Sequence, residues 1–320
     1  MTLALAALER LQTIPNLTVQ TGALLRNYTR FRLGGPCQAL VSTVSEAAYL
    51  AALGVLSGSD VTWTTIGGGT NLIVSDAGYP GLVLQYNAVA ITMEGAGVRV
   101  EAGAELNDLV DFANAQGLAG IESMAGIPGW VGAAIYGNAG AYGQSIAERV
   151  EWVRFAIGRE VRQFNRAECE FRYRESIFKR NKAWQIFSAG LRLEPGDSVA
   201  LAAKSAAIRA TRDAKFPPTM QCAGSIFKNL LLRELAPTVA AQVPANVVRG
   251  GKVPAGWFLE QVGAKGLAVG AMRVADYHAN LVFNTGGGRT ADLVALLTEL
   301  KRRVFDRFGL VIEEEVQYLS

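Results

Sequence analysis

The clearest pattern of hydrophobic and polar positions lies near the C-terminus. Apolar residues recur there at intervals of three and four, namely Leu293, Leu296, Leu297, Leu300, Val304 and Phe308. This spacing predicts an amphipathic helix that Thr290 caps and Gly309 ends. The residues that follow, LVIEEEVQYL, predict a strand.

Helical spacing also appears in four earlier segments. The segment SEAAYLAALGVL predicts a helix capped by Ser45, and LNDLVDFANAQGL predicts a helix that ends at Gly117. A longer helix is predicted for SVALAAKSAAIRATRDAK, after the composition shift at LEPGD. The N-terminal MTLALAALERLQTIPN predicts a short amphipathic helix, and it has no cationic region like that of a signal peptide.

Strand-like runs separated by glycine turns fill much of the remaining chain. VTWTTI, LIVS and LVLQY are rich in β-branched and apolar residues and end at turn residues. AITMEGAGVRVEAG and ERVEWVRFAIGREVRQF each predict a pair of strands. Helices and strands together predict an α+β fold in several lobes.

Composition narrows the kinds of function. Half of the 320 residues are hydrophobic, which is enough for a sizeable core, and no apolar run is long enough to cross a membrane. A net charge of +3 without a basic run favours an anionic small molecule over nucleic acid. Cys37, Cys169 and Cys222 are widely spaced and predict reduced, buried thiols in the cytosol. One histidine, His278, argues against a His-based metal site or catalytic triad.

Glycine clusters are the strongest candidate chemistry. In IGGGTNL, three glycines after a strand let backbone amides point at a pyrophosphate, although an ordinary turn is equally compatible. GIPGWVGAAIYGNAGAYG places glycines at positions 126, 129, 132, 137, 140 and 143. Each glycine within a helix or strand lowers the stability of the folded state by about 0.5–1 kcal/mol relative to alanine. Packing can explain any one of them, whereas close approach to a flat or phosphorylated ligand would explain all six.

Three further segments carry polar groups suited to catalysis or binding. Arg174, in YRESIFKR, can bind a carboxylate in a two-pronged way, or it can be a surface arginine. Ser225, in QCAGSIFKNL, lies near Lys228 and Asn229 and is compatible with a turn, a phosphate contact or a proton donor. In IEEEV, a strand would put Glu313 and Glu315 on one face and Glu314 on the other, and solvent exposure is the ordinary alternative.

Six segments in this order resemble the UDP-N-acetylenolpyruvoylglucosamine reductase family: TIGGGTNLIVSDAGYPGLVL, GIPGWVGAAIYGNAGAYG, YRESIFK, AGSIFKN, AGWFLEQVGAKG and EEEVQYL. The resemblance extends from about Thr21 to Leu319. The resemblance implies an FAD-binding lobe of the vanillyl-alcohol-oxidase type with two subdomains, residues 1–84 and 85–197. It also implies a C-terminal α+β substrate-binding domain, residues 198–320.

The resemblance also implies the residues of the site. The FAD would be bound by Gly67, Gly68, Gly69, Thr70, Asn71, Gly126, Ile127, Pro128, Gly129, Gly132, Ala133, Gly137, Asn138, Ala139 and Gly140. Arg174, Ser225 and Glu315 match the family's catalytic positions. Contacts to the nucleotide-sugar substrate would come from Lys215, Lys228, Asn229 and Gln261.

The implied reaction is the NADPH-dependent, FAD-mediated reduction of UDP-N-acetylglucosamine enolpyruvate in peptidoglycan precursor synthesis. Ser225 would protonate the enolate, which Arg174 and Glu315 would stabilise. The implied protein is a cytoplasmic monomer with noncovalent FAD and no nucleic-acid or membrane partner. It departs from the family pattern at Leu230, which replaces the proline of the usual FKNP motif. The interval between Arg174 and Ser225 is also short, and it lacks a tyrosine-bearing loop that would cover the substrate.

Two other functions are compatible with parts of this sequence. One is an alcohol or sugar oxidase of the same superfamily, many of which tether FAD through a histidine. His278 lies in the C-terminal lobe, which argues against such a tether. The other is a nucleotide-sugar-binding module without catalysis, and the presence of Arg174, Ser225 and Glu315 argues against it.

Overall fold

The computed structural model describes residues 3–320, which divide into two compact units. The first unit contains the residues up to 23, residues 37–68 and residues 80–214. The second contains residues 24–36, 69–79 and 215–320. The three-part division predicted at residues 84 and 197 stays a prediction.

Two sheets form the first unit. A four-stranded sheet has the order Thr18–Thr21, Cys37–Thr43, Tyr79–Tyr86, Trp63–Thr65. A five-stranded sheet has the order Glu160–Asn165, Val150–Ile157, Gln185–Arg192, Gly97–Glu101, Ile91–Glu94. Short two-stranded pairs join Gly140–Ala141 to Gln144–Ser145, and Leu118–Ala119 to Glu194–Pro195. The α-helices are Leu3–Gln12, Glu46–Ser57, Leu106–Ala115, Val131–Tyr136, Ile177–Arg180 and Ser198–Lys215, and Glu122–Met124 and Ile146–Glu148 are 3₁₀-helices.

Most local predictions for this unit are confirmed. The hydroxyl of Ser45 accepts a hydrogen bond from the amide of Ala48 (3.2 Å) and caps its helix. Gly117, with φ +66°, follows the helix Leu106–Ala115. Both predicted strand pairs are antiparallel hairpins, and the N-terminal helix is present from residue 3, whereas residues 1 and 2 lie outside the described part.

An aromatic cluster packs beneath the segment that contains Arg174. Phe178 is fully buried in the short helix Ile177–Arg180, and its ring lies 5.1 Å from that of Phe155. Phe155 in turn stacks on Trp184 at 5.1 Å. Burial of these rings fixes the helix that follows the YRES turn, because a large aromatic side chain excluded from water anchors its backbone.

A four-stranded sheet and one long helix dominate the second unit. The sheet order is Gln221–Ser225, His278–Asn284, Met272–Ala275, Ala268–Val269. Leu230–Leu231 pairs with Lys252–Val253, and Gln317–Leu319 pairs in parallel with Leu72–Val74. The α-helices are Pro237–Ala240, Ala255–Gln261 and Thr290–Phe308, and the 3₁₀-helices are Leu25–Tyr28, Leu232–Glu234 and Ala245–Val247. All six apolar residues predicted on one face of the long helix are buried.

The predicted cap of that helix is wrong. The hydroxyl of Thr290 donates to the carbonyl oxygen of Val74 (2.6 Å) and does not cap the helix. The carboxylate of Asp76 takes that role, since it accepts from the amides of Thr290 (2.8 Å) and Ala291 (3.0 Å). A residue far away in sequence therefore satisfies the helix terminus. The predicted end is confirmed, because Gly309 adopts φ +66°.

The strand predicted for LVIEEEVQYL is shorter than expected, since only Gln317–Leu319 is a strand. Residues 313–315 instead form an isolated bridge, described below. All three cysteines are buried and none forms a disulfide, as predicted. Among the described residues, no helix is long and apolar enough to cross a membrane, and no group of three or more His, Cys, Asp or Glu side chains is placed to bind a metal ion.

Candidate active site

Ser225 ends an edge strand that contains a bulge. The strand Gln221–Ser225 pairs with His278–Asn284, and the register shifts between Cys222 and Ser225. Gly224 adopts φ +72° at the shift, a conformation that glycine reaches without strain. The bulge is therefore built into the sequence by Gly224, and it sets the direction of the next residue, Ser225.

The hydroxyl of Ser225 makes no hydrogen bond to any described residue. Ser225 is partly buried. A serine that serves as a cap or turn residue normally uses its hydroxyl for a bond to nearby backbone. Ser45 and Ser176 do so here, since each accepts from an amide three residues later. Ser225 does not, so its O–H group is available to a ligand.

Glu315 lies on the segment that runs beside Ser225. The amide of Glu315 donates to the carbonyl oxygen of Ile226 (2.7 Å), and that of Lys228 donates to the carbonyl oxygen of Glu313 (2.9 Å). An antiparallel bridge joins Phe227 and Glu314 between these two bonds. The tertiary structure therefore brings two predicted catalytic residues, far apart in sequence, onto adjacent segments.

Asn71, a predicted FAD-binding residue, is bonded to the same segment. Its side-chain NH₂ donates to the backbone carbonyl oxygen of Glu315 (3.0 Å). Its backbone carbonyl oxygen accepts from the backbone amide of Gln317 (3.0 Å). These bonds continue into the parallel strand pair that begins at Leu72. Within the second unit, Asn71, Ser225 and Glu315 thus belong to one hydrogen-bonded assembly.

The three adjacent glutamates have different surroundings. Glu313 is exposed and pairs with the ammonium of Lys228 at 3.1 Å. Glu314 pairs with Lys301 and accepts from the hydroxyl of Tyr318. Glu315 is partly buried, and its backbone joins the Ser225 segment. The ion pairs with Lys228 and Lys301 give Glu313 and Glu314 structural roles, which spacing alone did not show.

Two of the predicted substrate-binding residues flank the helix Ala255–Gln261. The side-chain oxygen of Asn229 accepts from the amide of Ala255 at the helix start (3.3 Å). Gln261 ends the helix, and its carbonyl oxygen accepts from Arg307. Asn229 therefore has a structural bond that leaves its NH₂ group for other partners.

Lys215 lies in an aromatic corner with His278. Its ammonium is 5.2 Å from the ring centroid of Phe216, and its carbonyl oxygen accepts from the hydroxyl of Tyr277 (3.0 Å). The ring of His278 lies 5.7 Å from that of Phe216. Burial, with smaller contributions from the charges of Lys215 and Lys265, lowers the pKa of His278 to about 4.

Acidification is expected to destabilise the protein through His278. The folded state holds the neutral ring, so the unfolded chain, with a histidine pKa of 6.5, takes up the proton first. Stability is therefore full above pH 6.5 and is lost as pH falls towards the folded pKa. Between pH 7 and pH 5 we expect the free energy of unfolding to fall by about 1–2 kcal/mol more than in His278→Gln, since the ring is partly exposed. Urea denaturation at both pH values measures the free energy of unfolding. An equal fall in the wild type and in His278→Gln would contradict the role of His278.

Arg174 belongs to the first unit and has an unusual backbone. Its φ is +58°, in the left-handed region that non-glycine residues seldom adopt. Reciprocal hydrogen bonds between Arg172 and Glu175 (3.0 and 3.1 Å) close the turn around it. The ammonium of Lys179 donates to the carbonyl oxygen of Arg174 (2.8 Å), and the guanidinium lies 5.5 Å from the ring centroid of Tyr173. Such strain persists where surrounding contacts impose it, often at functional sites.

The segment of residues 126–143 has structural reasons for most of its glycines. Gly126, Gly129 and Gly143 have positive φ values. A Cβ on Gly132 would come within 2.8 Å of the Cβ of Ala102, and one on Gly140 within 2.3 Å of a carbonyl oxygen. Backbone conformation and packing therefore account for five of the six glycines, contrary to the expectation that packing would explain them poorly. Only the glycine at position 137 has room for a side chain and an ordinary φ.

The same segment is bonded to the Arg174 turn. Asn138, with φ +43°, donates from its side-chain amide to the carbonyl oxygen of Arg172 (2.8 Å). Its side-chain oxygen accepts from the amide of Ala147 (3.3 Å). Ser176 adds a bond from its hydroxyl to the carbonyl oxygen of Tyr136 (2.7 Å). The first unit thus joins predicted FAD-binding residues to Arg174.

The GGGTN loop combines tight packing with available donors. A Cβ on Gly69, which has φ +64°, would meet the carbonyl oxygen of Tyr28 at 1.8 Å, so glycine is required there by the fold. A Cβ on Gly68 would lie 3.0 Å from the indole of Trp130, whose Nε1 donates to Glu105 (3.0 Å). The amides at positions 67–69 donate to no described residue. Unpaired amides in a glycine loop after a strand fit the oxygens of a pyrophosphate.

Three residues with clear roles were missed by sequence reasoning: Asp76, Trp130 and Asn280. Asp76 follows a strand and precedes a glycine turn, which is typical of a turn residue. Trp130 was hidden within a glycine-rich segment. Asn280 is a polar residue in the otherwise apolar strand ANLVF, and a buried amide in such a strand is the one signal that could have indicated a special hydrogen-bonding role.

Two family models match this chain. The FAD binding domain model matches residues 37–159, and the model described as UDP-N-acetylenolpyruvoylglucosamine reductase, C-terminal domain, matches residues 216–319. These ranges contain Trp130 and Gly68 in the first case, and Ser225 and Glu315 in the second.

Similar proteins cover nearly the whole chain. The UDP-N-acetylenolpyruvoylglucosamine reductase of Solibacter usitatus is 57% identical over 311 residues, which are 97% of this chain and 100% of that protein. The enzyme of the same name from Rubrobacter xylanophilus is 34% identical over 298 residues, covering 92% and 93%. The crystal structure of the Thermus caldophilus enzyme matches with a TM-score of 0.74 and 26% identity, covering 95% of this chain and 99% of that one.

Proposed function

The chain belongs to the UDP-N-acetylenolpyruvoylglucosamine reductase family, and on that premise we propose how its residues perform the reaction. It is an FAD-dependent oxidoreductase that uses NADPH to reduce UDP-N-acetylglucosamine enolpyruvate in peptidoglycan precursor synthesis. The predicted family, α+β fold, cofactors and activity are thereby confirmed. Neither the oxidase nor the catalytically inactive binding module is retained.

Ser225 is the proton donor in this proposal. FAD, which the two glycine segments would hold, would supply hydride transfer from NADPH to the enolpyruvyl methylene carbon. The adjacent carbon then carries negative charge shared with its carboxylate, and Ser225 protonates it. A serine hydroxyl is a weak acid, but a carbanion-like enolate is basic enough to take its proton. The observation that supports this role is the Ser225 hydroxyl, which makes no hydrogen bond within the described chain.

Arg174 and Glu315 stabilise the enolate in this proposal. A guanidinium keeps its charge at any working pH and binds carboxylates in a two-pronged way, so Arg174 suits the substrate carboxylate. The turn between Arg172 and Glu175 and the bond from Lys179 hold Arg174 in its strained conformation. Glu315, held beside the Ser225 segment, would donate or share a proton with the enolate oxygen.

FAD binding is assigned to the two glycine segments. The amides at positions 67–69 would bind the pyrophosphate, with Thr70 and Asn71 completing the loop, and residues 126–140 would line the rest of the cofactor. Residues 1–84 and 85–197 would form the FAD-binding part, and residues 198–320 the substrate-binding part.

Substrate binding is assigned to Lys215, Lys228, Asn229 and Gln261, all in the second unit. The substrate is a soluble nucleotide sugar. Two lysines supply the positive charge that its phosphates require, although Lys228 already pairs with the exposed Glu313 and would exchange that carboxylate for phosphate. We further propose a cytoplasmic monomer. Separate measurement of the two half-reactions, argued in the Discussion, tests the catalytic assignment.

The FAD is expected to be bound without a covalent bond. The chain has one histidine, His278, and that residue lies in the second unit, away in sequence from the glycine segments. Acid or heat denaturation should therefore release yellow flavin into the supernatant. Flavin that remains with the precipitated chain after centrifugation would contradict the expectation, and free FAD mixed with denatured apoprotein controls for adsorption.

A further inference from the structure

Asn280 is bonded to the segment that begins at Ser225. It is 3% exposed, on the strand next to that of Ser225. Its side-chain oxygen accepts from the amide of Phe227 (2.9 Å), and its side-chain NH₂ donates to the carbonyl oxygen of Phe227 (2.9 Å). Its backbone carbonyl oxygen also accepts from the amide of Ile226 (3.0 Å). One residue thus makes three hydrogen bonds to the two residues after Ser225.

These bonds occur where the sheet ladder ends. Ser225 pairs with Leu281, and this is the last residue pair in the register of the two strands. The partner strand begins only three residues earlier, at His278, which pairs back with Ala275 across a tight turn. Phe227 therefore lacks a backbone partner on that side. The Asn280 side chain supplies both a donor and an acceptor in its place, from the two ends of its amide group.

We propose that Asn280 is a positioning residue that sets the location of the Ser225 hydroxyl, an inference that rests on the proposed role of Ser225. On one side of Ser225, Gly224 forms a bulge with φ +72° and offers little restraint. On the other side, the bonds to Ile226 and Phe227 hold the backbone. Displacement of a reacting group by about 1 Å can cost on the order of 10²-fold in rate. Loss of the Asn280 amide therefore affects proton transfer more than cofactor reduction.

The test compares Asn280→Leu with Asn284→Leu in the full-length holoenzyme. Asn284 lies on the same strand, is 5% exposed and also uses its side-chain amide, which bonds Phe31, Gly286 and Gly288. Both variants lose a buried amide of the same size, so both should be less stable. Of the two side chains, only that of Asn280 is bonded to the segment that begins at Ser225. Asn280→Asp, which keeps the acceptor and loses the donor, provides a second variant if Asn280→Leu folds poorly.

Stopped-flow absorbance of the flavin separates the two half-reactions. In Asn280→Leu we expect reoxidation by the enolpyruvyl substrate to be slower by about 10-fold or more, with flavin reduction by NADPH within about 2-fold of wild type. Asn284→Leu should change the ratio of the two rates by less than about 2-fold. Adding Asn280→Leu to Ser225→Ala should slow reoxidation little further, because two changes that act through one group are not additive.

Two results would overturn the inference while leaving the role of Ser225 intact. One is a normal rate ratio in both Asn280 variants although Ser225→Ala slows reoxidation selectively. The other is a full additional slowing by Asn280→Leu in the Ser225→Ala background. If Ser225→Ala itself has no selective effect, the proton-donor role fails, and the positioning role fails with it.

Discussion

Ser225→Ala is expected to slow reoxidation of the reduced flavin by the enolpyruvyl substrate by about 10²-fold or more. NADPH reduction of the flavin should proceed near the wild-type rate, because that step needs no proton from Ser225. The structure supports this difference, since the hydroxyl takes no part in the chain's own hydrogen bonds. Its removal should accordingly cost little stability. Stopped-flow traces of each half-reaction measure both rates in one preparation.

Two further variants test whether the effect of Ser225→Ala comes from loss of the proton donor. Ser225→Cys should recover part of the reoxidation rate, since a thiol donates a proton from the same position. Ser45→Ala is the matched control, because it removes a serine hydroxyl that caps a helix in the first unit and should slow neither half-reaction selectively. Equal slowing of both steps by Ser225→Ala, or slowing of neither, would refute the proton-donor role and favour a turn residue.

Gly68→Val should yield a purified protein that is largely depleted of FAD. The added Cβ would lie 3.0–3.4 Å from the indole of Trp130, and the branched side chain extends further over a loop whose amides are available for pyrophosphate. Overpacking of this kind costs about 1–3 kcal/mol, which corresponds to about 5- to 150-fold in the dissociation constant of FAD if the loop must rearrange. The ratio of flavin to protein absorbance measures occupancy.

A second substitution separates the two causes of that loss. If valine acts only by displacing Trp130, then Gly68→Val with Trp130→Leu should regain FAD. If valine blocks the approach of pyrophosphate, as we expect, the double variant stays depleted. Gly58→Ala is the control, because that glycine has an ordinary φ of −97° and no contact closer than 3.9 Å at its Cβ. Normal flavin content in Gly68→Val would show that the loop is only a turn.

Local features of this protein were predictable from the sequence. The long helix, the Ser45 cap and the two predicted hairpins all depend on bonds between residues close in sequence, the hairpin partners Trp152 and Asn165 being the most widely separated. Such bonds leave a periodic or positional pattern in the sequence. The candidate site residues also came from the sequence, but through the resemblance of six ordered segments. Composition and spacing alone left Ser225 undecided between a turn, a phosphate contact and a proton donor.

Only the tertiary structure decided which residues perform the structural roles. Asp76 caps a helix that starts 214 residues later, in place of the predicted Thr290. Ion pairs with Lys228 and Lys301 give Glu313 and Glu314 their structural roles. Asn280 bonds Phe227 across 53 positions. A side chain that satisfies backbone groups so far away leaves no periodic pattern, because its partner is set by how the strands and turns meet in space rather than by the residues beside it.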